Sequence, residues 1–225
     1  MTFSLLARCA ETGRFGMVIS SSSPAVAARC AHARAGTGVA ATQNITDPTL
    51  GPRLLDLMGQ GASALDAMAA VVASAPHVAY RQLLCIDAQG RTATHSGAHI
   101  LGLWNIAQGV ECVAGGNLLA NRDVPQAMVS GFVATKGDLG DRLVAALRAG
   151  RDAGGEAGPV HSAGLLMVDA DTWPCAELRA DWTDDTCPIE AVARAWQVYA
   201  PQMPAYLQRA RDPREAPSYG VPGDE

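Results

Sequence analysis

Short apolar runs joined by glycine-bearing turns restrict this chain from its first residues onward. Residues 2–8 and 16–22 flank Glu11-Thr12-Gly13-Arg14-Phe15-Gly16, where Gly13 can take the positive φ that a tight strand-to-strand turn needs. The same construction returns where 82–87 and 91–96 are joined by Asp87-Ala88-Gln89-Gly90. A hairpin links antiparallel neighbours, whereas parallel strands need a crossover of about a dozen residues or more. The turns therefore predict antiparallel sheets.

The rest of the pattern fills in around them. A third strand is predicted over 38–43, followed by two helices. Thr49 to Gly59 places Leu50, Leu54, Leu57 and Met58 on one face, and Ser63 caps a second helix with Leu65, Met68, Ala69 and Val72 at helical spacing. Weaker strands are predicted over 100–106 and 110–115. Helices follow over 123–134, capped by Asp123, and over 138–150, stopped by Gly150. Residues 162–168 and 175–180 read as a last strand pair, and Pro188 starts a helix carrying Val192, Ala195, Trp196 and Tyr199. Strict βαβ alternation is absent, which favours an α+β fold over a doubly wound parallel sheet. One domain is expected over 1–210, with a flexible tail over 211–225, where three prolines and several charges fall.

Composition narrows the partners. The net charge is −5, Lys136 is the one lysine and the arginines are scattered, which argues against a nucleic-acid partner. No apolar stretch reaches the roughly 18 residues of a membrane helix, and no signal-peptide pattern precedes the first strand, so a cytoplasmic protein is expected. Its six cysteines include no CxxC pair and are expected to be reduced and mostly buried.

No strong local catalytic motif is present. His95 and His99 are four apart, but in a strand end and a glycine-containing loop, which does not suit a metal. Polar clusters at strand ends are more informative. Ser20-Ser21-Ser22-Ser23 closes the second strand and Thr42-Gln43-Asn44 the third, within reach of Thr2 if the strands share a sheet. Thr2 itself follows Met1, and a small second residue normally permits removal of the methionine. Thr2 would then carry a hydroxyl nucleophile and a free α-amine base on one residue. Gly115-Gly116-Asn117 offers a backbone N–H and a side-chain amide for an oxyanion, while Arg81 or Arg179 could anchor a carboxylate. A last possibility, Cys85 or Ser96 working with His95, ranks below these because Cys85 lies in a strongly apolar run.

These residues also carry a resemblance. Thr2-Phe3-Ser4, Ala41-Thr42-Gln43, Gly51-Pro52, Tyr80-Arg81-Gln82-Leu83, Asp87-Ala88-Gln89-Gly90, His95-Ser96-Gly97, Gly116-Asn117-Leu118-Leu119 and Leu178-Arg179 stand in an order similar to the DUF1028 family. That family is N-terminal-nucleophile (Ntn) hydrolase-like, and the likeness spans roughly residues 2–200. The serine run at 20–23, His161 before Ser162-Ala163 and the loosely kept acids Asp181, Asp184 and Asp185 depart from the family pattern.

The resemblance implies a four-layer αββα sandwich, two antiparallel sheets flanked by helices. It also implies an amide hydrolase acting on a small polar or carboxylate-bearing amide. Thr2 would be its nucleophile and Asn117 with Gly116 its oxyanion donors. Ser22, Thr42, Gln43, Arg81, His95 and Arg179 would face the substrate. No metal or cofactor is expected, and a homodimer is the default assembly. The alternative is a small-molecule-binding protein that keeps the fold without the chemistry.

Overall fold

In a computed structural model that describes residues 1–223, β1 (Thr2–Arg8) and β2 (Phe15–Ser21) pair antiparallel across a loop in which Gly13 has φ +74°. There follow α1 (Val26–Cys30), β3 (Ala31–Arg34), β4 (Gly38–Asn44), α2 (Leu50–Gly59), α3 (Ala64–Ser74), β5 (Arg81–Asp87) and β6 (Thr92–Ser96). The second half runs β7 (Asn105–Gly109), β8 (Cys112–Asn117), α4 (Val124–Ala134), α5 (Leu139–Asp152), β9 (Ser162–Val168), β10 (Pro174–Ala180), α6 (Pro188–Tyr199) and α7 (Met203–Arg211). Six strands form one sheet in the order β10-β9-β2-β1-β8-β7, and four form another in the order β3-β4-β5-β6. Every pairing is antiparallel.

Alternation along the strands divides the interior into three cores. Phe3, Leu5 and Ala7 of β1 face outward onto α4, α5 and α6, against Met128, Phe132, Leu143 and Trp196. Leu6, Met17, Ile19 and Val113 face inward and meet Val39, Ala41, Leu84 and Ile86 of the smaller sheet. Ala40, Leu83 and Cys85 take the far side of that sheet, beneath Leu50, Leu54, Met68 and Val71 of α2 and α3. The layers are thus helices, sheet, sheet, helices. Each large apolar side chain so enclosed contributes about 1.5–3 kcal/mol.

Several boundaries differ from those read in the sequence. The strand pair expected at 100–106 and 110–115 lies at 105–109 and 112–117, because the turn falls at Val110-Glu111, with Glu111 at φ +60°. Leu101 and Leu103 are exposed loop residues whose apolar character misleads. Gly150 does not stop α5, which runs on to Asp152. A Cβ there would fall 2.7 Å from Met128 Cγ and 3.2 Å from Phe3 Cδ2, so this glycine lets α5 close onto α4 and β1. Asp123 precedes α4 without a capping bond from its side chain, while Ser63 does cap α3, accepting from the Asp66 N–H at 3.1 Å. The short α1 and β3, and α7, have no clear signal in the sequence. Arg211 closes α7 in a 2.6 Å ion pair with Asp171, and residues 224 and 225 of the expected tail lie outside the described residues. Among the described residues no helix is long and apolar enough to cross a membrane.

Candidate active site

Thr2 begins a strand in the middle of the six-stranded sheet, and the alternation that buries Leu6 between the sheets puts Thr2 and Ser4 on the same inner face. It lies opposite Asn117 of β8, and Ser21 ends β2 on its other side. Thr2 is only 5% exposed. The hydroxyls of Thr2 and Ser21 both donate to the carbonyl oxygen of Met1. Two hydroxyls therefore converge on the acyl group attached to the Thr2 nitrogen.

Beside Thr2 a chain of buried amides crosses from one sheet to the other. Ser4 Oγ donates to Gln43 Oε1 at 2.9 Å, and Gln43 Nε2 donates to Gln82 Oε1 at 2.9 Å. Asn117 Nδ2 donates to the same Gln82 oxygen at 3.1 Å, and Gln82 Nε2 donates to the Gly116 carbonyl at 3.2 Å. Gln43 and Gln82 share the strand parity of Ala41 and Leu84, which is why both amides point between the sheets. All five residues are buried, so these bonds hold one polar end of an otherwise apolar inter-sheet space in register. One acceptor is left over. Asn117 Oδ1 is buried and has no hydrogen-bond partner.

The other residues singled out from the sequence divide clearly. The Ser22 backbone N–H faces the site, whereas Thr42 and His95 lie on the helix-covered side of the small sheet, opposite to Gln43 and Gln82. Thr42 Oγ1 donates to the Asp47 carbonyl at 3.0 Å, and His95 Nε2 lies 3.1 Å from the Val78 carbonyl. An even count of residues from Ala40 places Thr42 with the α2–α3 core, so neither side chain joins Thr2. Arg81 Nη1 donates to the Ile45 carbonyl, and its Nε is buried without a hydrogen-bond partner. Arg179 stands on the edge strand β10, three strands or roughly 14 Å from β1, and pairs with Asp181 at 2.7 Å and Glu177 at 3.3 Å. The geometry thus gathers Thr2, Gln43, Gly116, Asn117 and Ser22 and leaves Thr42, His95, Arg81 and Arg179 apart.

One residue at the site has no counterpart among those singled out from the sequence. Glu156 lies in the loop after α5, bridged to Leu119, and is 4% exposed. Its two oxygens accept from the Ser22 N–H at 3.2 and 3.1 Å. Burial pushes its pKa up to about 7, partly opposed by the Met1 ammonium, Ser22 and His161. Gly158, two residues on, packs near Met1: a Cβ there would be 3.8 Å from Met1 Cε. The 156–158 segment therefore flanks the first residue.

The raised pKa fixes the sign of a stability effect. An unfolded chain ionises Glu156 near its ordinary value, while the folded chain resists until about 7. Stability is therefore highest below the unfolded pKa and falls as pH rises through this window. Glu156→Gln is expected to remove that slope. Denaturation midpoints at about pH 5 and about pH 8 should converge, the variant gaining up to about 3 kcal/mol at the higher pH. An unchanged slope would mean the carboxyl is already ionised in the fold.

Surface clefts lie elsewhere: one of about 390 Å³ lined by His32, Pro52, Glu177 and Arg179, one of about 620 Å³ lined by Arg8, Glu111 and Arg142, and one of about 440 Å³ lined by Arg34, Val168 and Asp171. Among the described residues no three His, Cys, Asp or Glu side chains cluster as a metal requires. Burial pushes the Cys85 thiol up to about 12, so it is no nucleophile.

Comparison with known proteins adds a family. The sequence profile described as "Family of unknown function (DUF1028)" matches residues 2–192. No curated protein matches the chain. Among solved structures it is similar to protein SPO2555 from Silicibacter pomeroyi, described as DUF1028, with 29% identity and a TM-score of 0.82 over 88% of this chain and 89% of that one. A looser likeness, to Anbu (ancestral beta-subunit) from Yersinia bercovieri, has 10% identity and a TM-score of 0.40 over 91% of this chain and 97% of that one. At that score it is no basis for a functional comparison.

Proposed function

Because the chain belongs to the DUF1028 family, whose activity its description leaves open, we propose from the site itself that it is an amide hydrolase with an N-terminal nucleophile. The observation that carries this is the placement of Thr2: central strand, inner face, with the Ser21 hydroxyl already donating to the carbonyl oxygen next to it. Once Met1 is lost, Thr2 holds a nucleophile and a base on one residue. Its Oγ attacks the carbonyl carbon of a substrate amide, and its α-amine takes the hydroxyl proton. Ser21 donates to the oxygen that becomes negative. Collapse breaks the C–N bond, and the α-amine returns the proton to the leaving amine. Water then attacks the acyl ester by the reverse proton path and frees the acid and the Thr2 hydroxyl.

Asn117, opposite Thr2, keeps one amide hydrogen for the oxyanion role and shares that role with Ser21. One of the two amide hydrogens of Asn117 goes to Gln82 and its Oδ1 has no partner, while Ser21 is the donor already aimed at a carbonyl oxygen beside Thr2.

Intact-mass measurement on protein from its natural host is expected to show a chain lacking Met1. That material should hydrolyse small amides, and material with Met1 retained should not. A second reading has its own observation: while Met1 is attached, Thr2 is buried and its hydroxyl is held by the Met1 carbonyl. That form cannot attack. Full retention of Met1 in the host would select the binding protein over the enzyme.

A further inference from the structure

The buried ionisable side chain in the 156–158 segment that flanks Met1 is an acid. Of the cationic anchors expected from the sequence, Arg179 is paired with Glu177 and Asp181, and Arg81 has the strand parity of Leu83, on the helix-covered side away from Thr2. Facing the first residue instead are a buried carboxylate, Glu156, and a buried amide oxygen, Asn117 Oδ1, that has no partner. A site built from acceptors is complementary to a donor, and above all to a cation.

Met1 shows how such a group sits. Its carbonyl oxygen is held by Ser21, its side chain lies along Gly158, and Glu156 accepts from the N–H of Ser22, the residue that follows Ser21. It is an α-aminoacyl group joined to the Thr2 nitrogen. A substrate acyl group attacked by Thr2 Oγ must occupy nearly the same volume.

We propose that the subsite vacated by Met1 takes the α-aminoacyl part of an amide, with Glu156 holding the substrate ammonium and Ser21 its carbonyl oxygen. The substrate class is then amides of α-amino acids with a free amine, and not the carboxylate-bearing amides suggested by the arginines. The assignment rests on the hydrolase reading for turnover but not for binding, so the two are tested separately.

The probes are L-methioninamide and N-acetyl-L-methioninamide, used with full-length protein whose mass shows Met1 removed. Binding is measured by calorimetry on Thr2→Ala, which retains the α-amine and cannot turn over. The free amine is expected to bind about 10–100-fold more tightly than the acetylated probe, and Glu156→Gln in that background should abolish the difference. In the Thr2 enzyme the same substitution should raise KM for L-methioninamide about 10-fold or more.

Equal binding of the two probes overturns the assignment, whatever the enzyme hydrolyses. Loss of activity on both probes by the same factor in Glu156→Gln, with a shifted pH profile, also overturns it and places Glu156 on the Thr2 amine. Amine-selective binding with no turnover of any amide leaves the subsite standing and removes the hydrolase. Because Glu156→Gln also alters the contact that holds the loop to Ser22, Gly158→Val serves as a second variant. It narrows the space for the methionyl side chain and should weaken L-methioninamide without affecting glycinamide.

Discussion

Thr2→Ala, prepared without Met1, is expected to lose on the order of 10⁴-fold or more in kcat/KM on any amide the protein hydrolyses. The substitution removes the attacking oxygen and leaves the α-amine, the Ser21 hydroxyl and the strand pairing with Asn117 in place. The one hydrogen bond recorded for the Thr2 hydroxyl goes to the Met1 carbonyl, which is absent from the processed chain. Thermal stability should therefore change by no more than about 1 kcal/mol. Thr2→Ser should keep measurable activity, since it restores both hydroxyl and amine. Paired melting and rate measurements check the claim. Undiminished turnover by a folded Thr2→Ala protein would move the chemistry away from the N-terminus altogether.

The second large effect concerns folding. Gln82→Ala should destabilise the protein by about 3–5 kcal/mol in denaturant titration. Gln82 is the hub of the inter-sheet amides. Its loss strands Gln43 Nε2, Asn117 Nδ2 and the Gly116 carbonyl in a space that water does not readily reach. Each orphaned group costs about 1–3 kcal/mol, less whatever relaxation recovers. Replacing Gln43 and Gln82 together by leucine should cost less than the two single changes summed, because one substitution removes the group that the other would strand. Full additivity would show that the amides contribute independently, contrary to a shared network.

The layout of sheets and helices is legible in the sequence because period and punctuation are local. Each hairpin has its turn residues beside its strands, and each long helix shows an apolar face within its own sequence. Strand parity is equally local, and counting alternate residues separates Gln43 from Thr42, whereas placing His95 opposite to Gln82 also needs the pairing of Leu83 with His95 across two strands. Which side of the small sheet faces the large one is not local. Both sides carry apolar residues, Val39 and Ala41 on one and Ala40 and Leu83 on the other. Glu156 is hidden for a different reason. It sits in an aperiodic loop after two glycines, and its role comes from Ser22, more than a hundred positions away. The arginines mislead because a guanidinium finds local partners more readily than a distant ligand. Arg179 has acids two residues away on either side.

The central position of β1 also sets a clock. Thr2 pairs with Asn117, so the strand cannot be enclosed on its second side until just over half the chain has been made. At about 5–20 residues per second, that interval lasts roughly 6–20 s. Throughout it Met1 is accessible to an aminopeptidase working on the nascent chain. Afterwards the methionine carbonyl is clasped by two hydroxyls and the 156–158 loop lies alongside. Under the proposed hydrolase reading, excision of Met1 is expected to compete with closure of the sheet, and Met1 of a folded chain is expected to be trimmed more slowly than that of a nascent one.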